Sequence, residues 1–184
     1  MKFSENKANL KLDGNKKVQK YLMEKTEKNY AFVDSQNVNL GVQELGWKLD
    51  FKKLMIYLRE KYSVKTAYLF IGYLPENKNL YSSLQKDGYL LVFKPVMRDD
   101  KGRPKGNVDA DLVLQVMIDY NEYQKAVIVT SDGDFYSLVD YLYRNNKLEM
   151  VLSPNKEKCS VLLHKSAKEK IVFMDNLRQK LEYK

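Results

Sequence analysis

Three observations in the 184-residue sequence predict an α/β protein, a three-layer α/β/α sandwich with a mainly parallel central sheet. Short apolar, β-branched runs alternate with longer segments of helical periodicity, as in a parallel sheet covered by helices. Apolar residues make up 44% and charged residues 30% of the chain, the balance of a folded domain rather than a disordered one. No run approaches the roughly 18 apolar residues of a membrane span, so no membrane partner is expected.

The elements follow in order. The first strand is Tyr30–Asp34, and a long loop over 35–49 leaves its carboxyl end. Asp50 reads as the N-cap of a helix over Asp50–Lys61, because Phe51, Leu54, Met55 and Leu58 follow at helical spacing. A strand over Lys65–Gly72, a helix over Asn77–Lys86 and a strand over Tyr89–Pro95 come next. The Gly- and Pro-containing stretch RDDKGRPKGN then leads into a helix over Asp109–Asn121, where Leu112, Val113, Val116 and Met117 make an apolar face. Strands at Lys125–Thr130, Leu148–Ser153 and Ile171–Met174 alternate with helices at Phe135–Asn145, Lys156–Lys165 and Asp175–Glu182. Residues 1–28 are polar and fit no core strand, although Val18, Tyr21 and Leu22 allow an amphipathic helix. With no internal repeat and no low-complexity linker, the expectation is one domain over 29–175. A basic N-terminal extension (1–28) and a basic C-terminal helix end (176–184) flank it.

Charge is distributed unevenly. The net charge is +8, yet residues 1–28 and 153–184 each carry eight basic and four acidic residues, which leaves the body between them neutral. Basic flanks on a neutral body suit a polyanionic partner, and they equally serve to keep a protein in solution. Cys159 is the single cysteine, so an internal disulfide is excluded, a structural zinc site is disfavoured, and a reducing cytoplasmic location is expected. His164 is the single histidine, which excludes ribonuclease mechanisms that use paired imidazoles. It falls outside the acidic segments and is expected at the surface.

In an open parallel sheet, ligands bind beyond the carboxyl ends of the strands. Three segments far apart in sequence bring acids to that edge: Asp34 in FVDSQNVN, Asp109 and Asp111 in KGNVDADL, and Asp132 and Asp134 in TSDGD. Each has a plainer role, since Asp34 can end a strand, Asp109 can cap a helix and TSDGD can form a tight turn. Their convergence is the stronger signal. Adjacent carboxylates repel until a cation neutralises them, and a hard cation with oxygen ligands, Mg²⁺ or Mn²⁺, is the natural occupant.

These motifs also resemble a known family. AFVDSQNV, KGNVDADLVLQVM and VIVTSDGDFYSLV are similar, in the same order, to the three motifs of NYN domains, a branch of the PIN-like ribonuclease superfamily; the implied domain covers about residues 29–175. The resemblance implies a PIN-like nuclease fold and a metal-dependent ribonuclease acting on RNA, single-stranded RNA above all. It assigns Asp34, Asp109, Asp132 and Asp134 as catalytic metal ligands, with Asp134 serving a second metal or orienting the attacking water. Asn37 matches the polar partner of the first Asp. Two positions depart from the pattern: Ser131 stands where relatives often have Gly, and Gln115 stands where many have another acid.

Asn37, Ser131, Arg98, Arg103 and Lys105 are the candidate substrate contacts, Lys101 adding to the basic stretch; that stretch also reads as a solvated hairpin or loop. Trp47 is available for base stacking, although packing against the body is the better reading of a single Trp. The competing function is an RNA-binding or adaptor module with weak or no catalysis, which Gln115 favours. A HAD-type phosphatase is disfavoured because the paired Asp come late in the chain and are followed by Phe135. The absence of GxxxxGK[ST] disfavours a nucleotide-binding enzyme. The oligomeric state stays open, a homodimer included.

Overall fold

The computed structural model describes residues 28–95, 97–98, 104–105 and 109–184. The helix considered near Val18, Tyr21 and Leu22, and Arg103 with Lys101, lie outside the described residues. The strands are β1 (Asn29–Asp34), β2 (Val64–Tyr73), β3 (Tyr89–Pro95), β4 (Met97–Arg98), β5 (Pro104–Lys105), β6 (Ala126–Val129), β7 (Leu148–Ser153) and β8 (Ile171–Phe173). The helices are α1 (Ser35–Glu44), α2 (Phe51–Tyr62), α3 (Lys78–Lys86), α4 (Asp109–Ile118), α5 (Tyr136–Arg144), α6 (Val161–Ala167) and α7 (Arg178–Leu181).

Six strands form one all-parallel sheet in the order β3-β2-β1-β6-β7-β8, while β4 and β5 pair as a small antiparallel hairpin. The central strands are buried on both faces, which explains why NYAFVD and AVIV read as continuous apolar runs. Alternation divides their side chains between two cores. Ala31, Val33, Val127 and Val129 pack with Val38 and Val42 of α1, Leu54, Met55 and Leu58 of α2, and Leu84 of α3. Tyr30, Phe32, Ala126 and Ile128 pack instead with Leu112 and Val116 of α4, Leu138, Val139 and Leu142 of α5, and Leu163 of α6. Helices therefore cover both faces, and the sandwich has its three layers.

The structure corrects the sequence reading at one element that matters for the site. Residues 35–49 are not a long loop, because Ser35–Glu44 form α1. The segment SQNVNLGVQE is polar and holds a Gly, so its propensity is weak. Tertiary contacts and a cap decide instead: the Asp34 side chain accepts from Asn37 N, and Val38 and Val42, one turn apart, are fully buried. Trp47, just beyond the helix, is buried in the core at 5% exposure rather than presented to a ligand. Smaller shifts occur elsewhere. α6 starts at Val161, because the Asn155 side chain accepts from Glu157 N and makes a turn of the preceding residues. On α4 Leu112 and Val116 are buried, but Met117 is exposed at 39%. Residues 174–177 form a 3-10 turn before α7.

Helix α1 docks closely. A Cβ at Gly41 would lie 2.7 Å from Pro154 Cγ and 2.8 Å from Pro154 Cβ, in a ring that has no flexible end to move aside. Gly41→Ala is expected to lower stability by about 1–3 kcal/mol, the usual cost of overpacking, as a reduced urea midpoint with unchanged slope. An unchanged midpoint would mean that α1 shifts freely against the loop after β7.

Candidate metal centre

The sheet order reverses at β1: the chain steps outward to β2 and β3, then returns to place β6 on the other side. In parallel α/β sheets the crevice beyond such a reversal is where ligands bind. Register fixes what stands there. Val33 pairs with Val129, so Asp34 ends β1 at the level where Thr130, Ser131 and Asp132 leave β6. Helix α4 opens at the same edge with Asp109 and Asp111 in its first turn, where the helix dipole favours acidic side chains.

One carboxylate oxygen from each of Asp109, Asp132 and Asp134 lies within 4.8 Å of the others. Asp109 and Asp132 are half-buried and Asp134 is exposed. Asp34 lies outside that group of three but close enough for the charges of Asp109 and Asp132 to act on it. It is 4% exposed, and its pKa rises from 3.8 to about 6. Burial is the main cause; the Asn37 N–H opposes it, and the charges of Asp109 and Asp132 add to it. An all-oxygen set of converging carboxylates, one of them destabilised by its neighbours, has the chemistry to hold a hard metal ion.

The surrounding hydrogen bonds hold the acidic loop in place. Asn37 Oδ1 accepts from both Ser131 N (2.8 Å) and Ser131 Oγ (2.9 Å), tying α1 to the end of β6. Buried Thr130 accepts at Oγ1 from Asp132 N at 3.1 Å, and the Asp132 carboxylate accepts from Asp134 N at 3.0 Å. Ser160 N donates to Ser131 O, and a Cβ at Gly133 would collide with the Ser160 side chain, so glycine is what lets this turn sit against the start of α6. Thr130 and Ser160 were not singled out from the sequence as supports. The only signal for Thr130 is a hydroxyl residue at a strand end, and Ser160 lies 26 residues beyond Asp134 with no motif to mark it.

Of the nine candidate residues, the structure gathers Asp34, Asn37, Asp109, Ser131, Asp132 and Asp134 at one edge. Arg98 and Lys105 belong to the β4–β5 hairpin, in which Arg98 pairs with Pro104 and Met97 with Lys105. Asp111 is engaged by Lys94 at 3.2 Å. Gln115 Nε2 donates to Asp119 Oδ2 at 2.9 Å, so its amide is committed to a carboxylate one turn on. His164 is exposed and stacks on Phe173, with 8° between the ring planes.

The α/β/α sandwich and the carboxylates gathered at its switch point are the arrangement that the resemblance to NYN domains implies. Residues 29–175 match the family model of the NYN domain, and the chain belongs to that family. A crystal structure of a protein of unknown function from Vibrio parahaemolyticus superposes with a TM-score of 0.68 at 24% identity, covering 84% of this chain and 96% of that one. The likeness shows a shared fold. A search of curated proteins finds no match.

The pKa of Asp34 makes stability depend on pH in the metal-free protein. Its folded value of about 6 exceeds the ordinary 3.8, so its proton stabilises the fold fully below about pH 4, and that stability is lost as pH rises through 6. In EDTA, Asp34→Asn is therefore expected to be more stable than wild type by up to about 3 kcal/mol near neutral pH, the advantage fading toward acid. Urea melts of both proteins across this range check it; a pH-independent difference would refute the assignment.

Proposed function

We propose that this protein is a metal-dependent ribonuclease that hydrolyses phosphodiester bonds of single-stranded RNA at the Asp34, Asp109, Asp132 and Asp134 site. The observation that carries the reading is the convergence of acids from three distant segments at the reversal of strand order, with Asp34 held protonated to about pH 6 by burial and by its neighbours. A structural set of caps and turns has no need to bury one acid within reach of two others, whereas a cation site offsets that cost.

Asp109, Asp132 and Asp134 would hold Mg²⁺ or Mn²⁺, with Asp34 as a further ligand. When bound, such an ion neutralises charge on the phosphate and lowers the pKa of a coordinated water. The chain's own residues prepare the site. The Asn37 N–H orients the Asp34 carboxylate, and the Asn37 side chain fixes the Ser131 backbone so that Asp132 stays at the edge. Asp134 is exposed and takes the role of orienting the attacking water. Arg98, Arg103 and Lys105 would draw the phosphate backbone toward the acids. No imidazole takes part. The expected location is the cytoplasm; no described helix is long and apolar enough to cross a membrane.

One observation favours a second reading, an RNA-binding module with little cleavage: Gln115 contributes no charge and its amide is committed to Asp119. Cleavage of labelled single-stranded RNA with Mn²⁺, with Mg²⁺ and with EDTA separates the two. Metal-dependent cleavage that Asp132→Asn reduces by about 100-fold or more supports the nuclease. Binding without cleavage supports the module.

The metal itself has a simpler signature. Millimolar Mn²⁺ is expected to raise the melting temperature of the wild type, because only the folded state assembles the ligands. The rise should be smaller near pH 5 than near pH 7, since Asp34 must lose its proton. It should be absent in Asp132→Asn, and a full response in that variant would place the ion elsewhere.

A further inference from the structure

A cleft of about 670 Å³ opens between α1 and α3. Ser35 and Gln36, the residues immediately after Asp34, line one end. Asp34 pairs across the sheet with Phe70, and the next two residues of β2, Ile71 and Gly72, form part of the floor. The cleft and the acidic site thus share one edge of the sheet, on strands about 4.8 Å apart. Its volume falls within the range of pockets that enclose a small molecule, roughly 300–1,000 Å³.

The lining has a particular chemistry. On α1, Gln36, Asn39, Leu40 and Gln43 are spaced by three and four residues and present one stripe to the cleft. Among the described residues, no hydrogen-bond partner holds the side-chain amides of Gln36, Asn39 or Gln43, so their donors and acceptors are available to a ligand. Leu40 on α1 and Leu80 on α3 are exposed at 50% and 45%, an apolar side chain on each wall. Charge cancels: Lys48 and Lys52 are matched by Asp50 and Asp87. The Lys48 ammonium also lies 4.8 Å from the Tyr183 ring centre, at the cleft's rim.

A neutral pocket has no means to compete for a phosphate, and a purely apolar one would not carry a stripe of amides. A wall of carboxamides on α1, with Leu40 among them and Leu80 facing it from α3, fits a flat, uncharged group that has hydrogen-bonding edges. Given the nucleic-acid substrate proposed above, we propose that this cleft takes one unpaired nucleobase of the strand whose phosphate lies at the carboxylates, Leu40 and Leu80 packing on its faces and Gln36, Asn39 and Gln43 reading its edge. The cleft makes the protein base-selective: base-edge contacts carry sequence information that phosphate contacts lack.

The test measures binding without cleavage, in the full-length Asp132→Asn protein with EDTA, so that its result does not depend on nuclease activity. Fluorescence anisotropy compares short labelled homopolymers of A, C, G and U with an oligomer of the same length carrying abasic ribose. One base is expected to bind at least about tenfold more tightly than the abasic strand. Adding Asn39→Ala with Gln43→Ala, or separately Leu80→Ala, is expected to bring that base down to the abasic level while phosphate-driven binding persists. Gln43 and Leu80 are exposed and Asn39 is half-buried, and thermal melts check the fold.

Equal binding of abasic and base-bearing strands, discrimination that survives in both variants, or no RNA binding at all would each overturn the proposal. Cleavage by the wild type with Mn²⁺ is scored separately. Base discrimination without cleavage would remove the nuclease reading and leave the pocket standing, and cleavage without discrimination would do the reverse.

Discussion

Everything at the carboxyl edge depends on the parallel pairing of β1 with β6. The Val33–Val129 pair sets the height at which the two chains leave the sheet, and a one-residue slip would turn Asp34 to the other face. That register is secured by side chains rather than by turns, because both strands are buried on both faces. Phe32 and Ile128 lock one core while Val33 and Val129 lock the other. Asn29 adds a polar clamp at the opposite end, donating from Nδ2 to Tyr62 O and accepting at Oδ1 from Lys125 N. A rigid, apolar middle is thus what permits an electrostatically unfavourable edge.

The unfavourable part is confined. Asp34 carries the burden of burial, yet the Asn37 N–H and the start of α1 soften it, and Asp109 sits in the first turn of α4 where the dipole helps. Asp132 and Asp134 remain more open to water, and their loop is held by Thr130, Asn37 and Ser160 together with the bond from Asp134 N to the Asp132 carboxylate. Much of the positioning is therefore done by neutral groups, with Asp34 and Asp132 each also accepting one backbone N–H. A substitution that neutralises one acid need not disturb the loop, whereas a change at Asn37 or Gly133 moves the acids without altering their charge.

Much of this was legible in the sequence. The strands announce themselves as apolar runs, the Asp50 cap begins α2 as its spacing implies, and the three acid-bearing segments are visible because they stand at strand ends and a helix start. What stayed hidden depended on tertiary context. Residues 35–44 read as a loop because their apolar residues are few, and only the docking of Val38, Val42 and Gly41 makes the helix. With α1 unseen, Gln36, Asn39, Leu40 and Gln43 could not be recognised as a stripe, and the wall of the cleft was lost with them. The bond from Asn37 to Ser131 spans 94 residues, a distance at which no local pattern speaks.

That same separation has a consequence in time. Asp34 is near the front of the family's matched region and Asp132 well past its middle, and nothing local brings them together. Pairing two parallel strands across so long an intervening segment is slow, because loop closure must precede the contacts that reward it. During synthesis the first strand emerges long before its partner, and the acids stay scattered until the ribosome has released β6 and the turn beyond it. The cluster exists only as a product of completed folding. A truncated or partly folded chain has the individual carboxylates and none of their convergence.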